Sequence, residues 1–198
     1  MTIEITSPVP VTHTLALRLP DWCAEPAVSL NGERVTGEVV RGYLYLNRCW
    51  HEGDTLTLTL PMPVRRVYGN PQVRQQAGKV ALQRGPLVYC LEEADNGANL
   101  HNLSLPENSA FRVFEGKGIF AHKMLIQAEG RGYHVKDTDA LWQYDRSPVQ
   151  RQPQTLTFIP GSVGQTGEKG RCGYGWMKAE YLRSVALPRT VHTHGERE

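Results

Sequence analysis

The stretch GKVALQRGPLVYCLEEAD, residues 78 to 95, sets a thiol, Cys90, just ahead of three carboxylates, Glu92, Glu93 and Asp95. Those residue types could supply a nucleophile, a metal ligand or an acid/base pair. Each needs a particular geometry. A reactive thiol requires a nearby cation, base, metal or helix N-terminus to hold the thiolate; a neighbouring Glu92 does the opposite. Glu92 and Glu93 are adjacent, so on a strand they point to opposite faces and cannot flank one bond. Glu93 and Asp95 share a parity but stand at the mouth of a polar loop. The residues therefore predict a buried, inert Cys90 on the Val88 face of a strand, and a solvated strand end at Glu92, Glu93 and Asp95.

Other candidates are weaker. The remaining cysteines, Cys23, Cys49 and Cys172, are far apart, with no CxxC and no Cys/His cluster. Two disulfides are conceivable, but reduced thiols in a cytoplasmic setting are the expectation. Of His13, His51, His101, His122, His134, His192 and His194, only the last two are close in sequence, and a pair falls short of the three or four ligands zinc takes. Trp22, Trp50, Trp142, Tyr43 and Tyr45 could stack sugars, though aromatics more often fill cores. There is no phosphate-cradling glycine loop, no nucleophile elbow and no basic stripe. No residue is assigned a catalytic, cofactor-binding or metal-binding role.

The elements that would position these residues repeat with period two. Leu15, Leu17 and Leu19 share one face; Leu56, Leu58 and Leu60 alternate with Thr55, Thr57 and Thr59. Asn31-Gly32 in VSLNGERV marks a hairpin of type I′, since both residues tolerate positive φ. GYLYLNR alternates too, and HEGD reads as a turn. Four strand candidates thus fall within about 60 residues. PMPVRRVYGNP, with Pro61, Pro63 and Pro71, reads as a connector. The pattern restarts in KVALQRG, PLVYCLE, FRVFEGKG, MLIQAEG and QTLTFIP, with Gly85-Pro86 as punctuation. EADNGANLHNLSLPENSA reads as a long loop, and no strongly amphipathic helix is present. The predicted architecture is all-β: two consecutive antiparallel, jelly-roll-like β-sandwiches over 1–70 and 71–160, then a poorly structured, glycine-rich tail over 161–198.

Bulk properties agree. Forty per cent of the 198 residues are hydrophobic, sufficient for packed cores. A net charge of +2 from 22 basic and 20 acidic residues gives no reason to expect nucleic acid or an anionic membrane surface. No apolar run reaches the length of a membrane helix, and the first 20 residues alternate rather than forming a signal peptide.

Specific strings add a resemblance. LRLPDWC, VSLNGERV, GYLYLNRCWHEGDTLTLTLPMPVRRV and GKVALQRGPLVYCLEEADN resemble, in order, the C-terminal half of glycoside hydrolase family 127, whose type activity is β-L-arabinofuranosidase; the likeness covers residues 3 to 160 or so. The resemblance implies a parent enzyme with a helical barrel followed by two β-sandwiches. The barrel would hold the chemistry: a zinc-bound cysteine nucleophile with further cysteine and glutamate ligands, and a glutamate acid/base. None of Cys23, Cys49, Cys90 or Cys172 matches the family's catalytic cysteine pair. The expected function is that of a non-catalytic sandwich portion, inactive alone, whose zinc belongs to a barrel outside this chain. Two alternatives are a stand-alone carbohydrate-binding module and a structural module that braces a separately encoded barrel or forms a homodimer.

The tail carries a further implication. After LTFIP the family resembles YYAWANRGEGEMRVW, whereas this chain reads GSVGQTGEKGRCGYGWM. Read one base earlier, the codons allowed for Gly161 to Met177 permit WFSWANRGEGEMRVWM. Gln165-Thr166-Gly167 then yields Asn-Arg, and Gly170-Arg171-Cys172 yields Glu-Met. The resemblance implies a one-base frameshift near Pro160, a remnant of a broken gene, and a marginally stable product with an unpaired sheet edge.

Overall fold

A computed structural model describes residues 1–134, 150–162, 172–173 and 177–180. The chain divides into two compact units. One comprises Met1–Arg66 with Leu82–Val88, the other Val67–Ala81 with the described residues from Tyr89 onward.

The first unit is a sandwich of two antiparallel sheets. Its strands are β1 (Thr2–Glu4), β2 (Val11–Arg18), β3 (Ala27–Leu30), β4 (Glu33–Arg34), β5 (Glu38–Val40), β6 (Tyr43–Trp50) and β7 (Thr55–Thr59). They form a four-stranded sheet in the order β1-β7-β3-β4 and a three-stranded sheet in the order β2-β6-β5. The leucine alternation lands as expected. Leu56 and Leu58 of β7 are buried with Val28 and Leu30 of β3, Leu17 of β2, and Leu44, Leu46 and Trp50 of β6. The threonines of β7 take the other face.

Two tight turns set the register. Asn31 and Gly32 have φ of 51° and 86°, the left-handed pair a type I′ hairpin needs, and Ser29 stands opposite Arg34. Arg41-Gly42 does the same between β5 and β6, with φ of 50° and 77°. That hairpin has a weaker sequence signal, because arginine is not a usual left-handed residue. HEGD is a turn: Asp54 accepts hydrogen bonds from the His51 amide at 2.9 Å and from Asn31 Nδ2 at 2.8 Å, while Asn31 Oδ1 accepts from the Thr55 amide at 2.8 Å. These bonds tie the two loop ends together.

The second unit is built on a larger sheet that takes in the portions of β8 (Val64–Tyr68), β9 (Lys79–Arg84) and β10 (Leu87–Glu92) belonging to it, together with β11 (Leu103–Pro106), β12 (Phe111–Glu115), β13 (Met124–His134), β14 (Gln150–Pro160), β15 (Cys172–Gly173) and β16 (Met177–Glu180). Its spine is the β13/β14 pair, in register from Ile126 opposite Phe158 to His134 opposite Gln150. Gly130 lies where a Cβ would run into the Leu156 side chain and come within 2.8 Å of the Ser104 carbonyl, so the absence of a side chain lets these strands close up. Within the tail, β15 pairs with β10, and β16 pairs with β9 and β11.

Two sequence readings change. VRRVY is a strand rather than part of a connector, because Pro61, Pro63 and Pro71 flank β8 without interrupting it. LSLP, read as loop, is a fully internal strand: Leu103, Ser104 and Leu105 are buried, with β13 on one side and β16 on the other. The only α-helix among the described residues is one turn, α1 (Glu93–Asn96). No helix among them is long and apolar enough to cross a membrane.

Candidate functional site

Cys90 sits in the interior. It is 5% exposed and packs with Leu125, Ile159, Phe114 and Phe120. This is the environment of a buried thiol that packs as a small apolar side chain. Its presumed face-mate Val88 is exposed, because residues 89 to 92 are buried on both faces while residues 87 and 88 are not.

The acids are corrected in part. Glu92 is 7% exposed, not solvated. The reason is its strand's place: β10 lies between β14 and β15, with Leu91 opposite both Phe158 and Gly173, and Glu92 opposite Cys172. Glu93 is half-buried at the start of α1, and its carboxylate accepts a 3.3 Å hydrogen bond from the Asn99 amide. Asp95 is exposed. The three carboxylates thus occupy three different settings and do not converge.

The residue that matters locally is Asn96, which the sequence reading passed over. It is 5% exposed. Its Nδ2 donates to the Glu92 carbonyl at 3.0 Å and the Thr157 carbonyl at 2.9 Å, and its Oδ1 accepts from the Thr157 amide at 2.8 Å. Gln154 Nε2 donates to the Asn96 carbonyl at 2.7 Å. The side-chain amide continues the ladder along β14 where β10 turns away into α1. A buried Asn needs such partners, and here they are backbone groups that would otherwise be orphaned.

Among the described residues, no three His, Cys, Asp or Glu side chains gather into a metal site. Cys23 is buried near the Pro61 carbonyl, Cys49 is exposed on β6, and Cys90 is in the other unit; all three are thiols, not disulfides. His51 and His101 are exposed, and exposed His122 lies 3.3 Å from Glu115. His13 packs against the Trp50 ring. The His134 and Cys172 side chains, Trp142, His192 and His194 lie outside the described residues.

The aromatics separate sharply. Trp50 is fully buried, and its Nε1 donates to the His13 carbonyl at 3.0 Å; it is core, not a sugar platform. Trp22 is half-buried. Tyr43 and Tyr45 stand on the outer face of β6, 41% and 39% exposed. The Arg18 guanidinium covers Tyr43, 5.3 Å from its ring centre, pinned there by bonds to the Gly42 and Arg41 carbonyls. Tyr45 has no such cover. It lines a cleft of about 290 Å³ with Thr36, Gly37, Asn47 and Arg48. A wider depression of about 600 Å³ runs beside β3, lined by small residues with Glu25 and Arg34.

Comparison with known proteins gives these elements a family. Residues 1–62 match the family model for the β-L-arabinofuranosidase GH127 middle domain, and residues 64–165 match that for the glycoside hydrolase family 127 C-terminal domain. A non-reducing end β-L-arabinofuranosidase of Bifidobacterium longum subsp. longum is 38% identical over 170 residues, covering 80% of this chain and 26% of that relative. The crystal structure of a GH127 β-L-arabinofuranosidase from Geobacillus stearothermophilus T6 superposes with a TM-score of 0.81 at 34% identity, over 90% of this chain and 28% of that one. A GH127 β-arabinofuranosidase structure at 26% identity gives a TM-score of 0.74 over 90% of this chain and 29% of its own. The chain therefore spans about a quarter of the length of these relatives. It belongs to glycoside hydrolase family 127, through that family's middle and C-terminal domains.

Proposed function

We propose that this chain supplies the non-catalytic β-domains of an enzyme that hydrolyses terminal β-L-arabinofuranosides, and that the bond-breaking groups reside in a catalytic barrel not contained in these residues. The observation that carries this reading is the match of residues 1–62 and 64–165 to the middle and C-terminal domain models. Burial of Cys90 among apolar side chains and the scatter of Cys23, Cys49 and the carboxylates support it, since hydrolysis of a glycoside needs two groups facing one bond. A reducing, cytoplasmic setting belongs to the same reading, supported by the thiol state of Cys23, Cys49 and Cys90. So does a one-base shift of reading frame near Pro160, supported by the end of the C-terminal domain match at residue 165.

The test is hydrolysis of a chromogenic β-L-arabinofuranoside by the 198-residue chain, alone and mixed with a separately expressed family barrel. We expect no turnover alone and turnover on mixing. Hydrolysis by the chain alone, abolished by Cys90→Ser, would overturn the reading. Sequencing of the gene decides the frame: the base-shifted frame beyond Pro160 should encode Asn-Arg followed by Glu-Met and Trp.

A further inference from the structure

We infer that Asn31 is a site of spontaneous covalent modification, losing its side-chain ammonia to become aspartate or isoaspartate, and that this change turns the clasp between two turns of the first unit into a repelling pair of carboxylates. The inference concerns the 198-residue chain itself and does not depend on its working with a catalytic barrel.

The chemistry is intramolecular. The Gly32 backbone nitrogen attacks Asn31 Cγ. A new C–N bond closes a cyclic imide, the Cγ–Nδ2 bond breaks, and the Gly32 amide proton leaves in the ammonia. Water then opens the ring at either carbonyl. One opening gives aspartate; the other gives isoaspartate, in which the main chain runs through the side-chain carbon. Glycine after asparagine favours closure, because it has no Cβ to crowd the attacking nitrogen. The sequence contains two such dipeptides, Asn31-Gly32 and Asn96-Gly97.

The structure separates them. The Gly97 N–H donates to the Glu93 carbonyl at 2.9 Å, so that nucleophile is occupied. Asn96 itself is buried and held by three side-chain hydrogen bonds. Asn31 and Gly32 are both exposed. The Gly32 N–H has no hydrogen-bond partner among the described residues. A Cβ built on Gly32 would meet no atom within 4 Å, so water and base reach this amide. What restrains Asn31 is its own side chain, tied to Asp54 through Nδ2 and to the Thr55 amide through Oδ1. Ring closure swings Cγ over the Gly32 nitrogen and releases both ties. That opening is local, because the turn leads into β4, a two-residue strand at the sheet edge.

The product reverses the sense of the contact. Asn31 Nδ2 is a donor 2.8 Å from Asp54 Oδ1; in aspartate an oxygen takes its place and two carboxylates face each other. The Asp54 carboxyl, held low by the His51 amide and then by Asn31, loses the second of these and gains a like charge, so its midpoint rises. Isoaspartate also lengthens the backbone of a turn whose length sets the register of its hairpin.

The test is peptide mapping by mass spectrometry after incubating the 198-residue chain in neutral and in mildly alkaline buffer, folded and in guanidinium. Circular dichroism checks that the folded sample keeps its sheet. In guanidinium both dipeptides should convert at similar rates. In the folded chain Asn31 should convert within about tenfold of its denatured rate, while Asn96 is slowed at least about a hundredfold. Conversion at Asn31 should quicken as pH rises, because the attacking amide must lose its proton. Asp54→Ala removes one tie and should speed Asn31 about threefold without changing Asn96. In Asn31→Asp, carbon NMR should find the Asp54 midpoint raised, and the Thr55 amide should exchange at least about threefold faster than in the unmodified chain. Three results would overturn the inference: Asn31 as protected as Asn96 in the folded chain, no acceleration at Asn31 in Asp54→Ala, or an Asn31→Asp chain whose Asp54 midpoint and Thr55 exchange are unchanged.

Discussion

Trp50 is the sharpest place to perturb the first unit. It was a candidate sugar platform by composition, yet it is fully buried between the two sheets and donates its indole N–H to the His13 carbonyl. Trp50→Ala removes a side chain of about 150–250 Å². At roughly 25 cal/mol per Å² this is about 4–6 kcal/mol before relaxation, and measured Trp-to-Ala changes in cores cluster at about 3–5 kcal/mol. Trp50→Phe keeps most of the apolar contact but drops the hydrogen bond and some volume, so about 1–2 kcal/mol is expected. Tyr45→Ala, on the exposed face of the same strand, should stay within about 0.5 kcal/mol. The suitable assay is hydrogen exchange of the β2 and β6 amides, because it reads this unit's own opening free energy. The expected order is Trp50→Ala far below Trp50→Phe, and Trp50→Phe below Tyr45→Ala. If Trp50→Ala costs less than about 1.5 kcal/mol, or no more than Trp50→Phe, the account of the sandwich core is wrong.

Two further outcomes follow from named contacts. Asn96→Ala deletes three side-chain hydrogen bonds and orphans the Thr157 amide and carbonyl, so amides of β10 and β14 should lose about 2–4 kcal/mol of protection against exchange, while β2 and β6 amides stay unchanged. A loss below about 0.5 kcal/mol would show that water replaces the ladder at no cost. The Asp54 carboxyl is held below the ordinary aspartate range, first by the His51 amide and next by Asn31. Its folded pKa is depressed, so its contribution is complete above the unfolded value of about 3.9 and is lost as pH falls through the lower folded value. Carbon NMR should place its midpoint below about 3.9, and exchange at the Asn31 and Thr55 amides should accelerate only in that acidic window; Asp54→Asn should flatten that pH response.

The sequence was most legible where one face of a strand meets water. The Leu56/Leu58 and Thr55/Thr57 alternation and the Asn31-Gly32 turn are read directly from residue type, because side-chain period and positive φ are local properties. It was least legible where a strand is buried on both faces or very short. Leu103–Pro106 is four residues long and carries Ser104 in the interior, so nothing local separates it from loop. Glu92 looked solvated because its burial comes from β15, some 80 residues further along the chain, and no local pattern reports that. Trp50 and Tyr45 lie five residues apart on one strand, and parity alone separates them: even-numbered positions of β6 face the core at both ends, odd-numbered ones face out.

This parity also explains why PLVYCLEEAD imitates an active site without being one. A thiol beside acids is a catalytic signature only when the side chains converge, and a strand followed by a helical turn makes them diverge. Cys90 goes inward against Leu125 and Ile159; Glu92 is held between β14 and β15; Glu93 and Asp95 leave with α1. What requires the polar residues here is the exit of β10 from the sheet. The chain must stop pairing with β14 without abandoning the Thr157 amide and carbonyl, and Asn96 reaches back to satisfy both. The position is therefore specified by hydrogen-bond bookkeeping rather than by chemistry on a substrate. Asp would retain the acceptor but point a second oxygen, not a donor, at the Thr157 carbonyl, so Asn96→Asp should destabilise β10 and β14 at neutral pH and recover in part in acid, where its protonated form regains a donor.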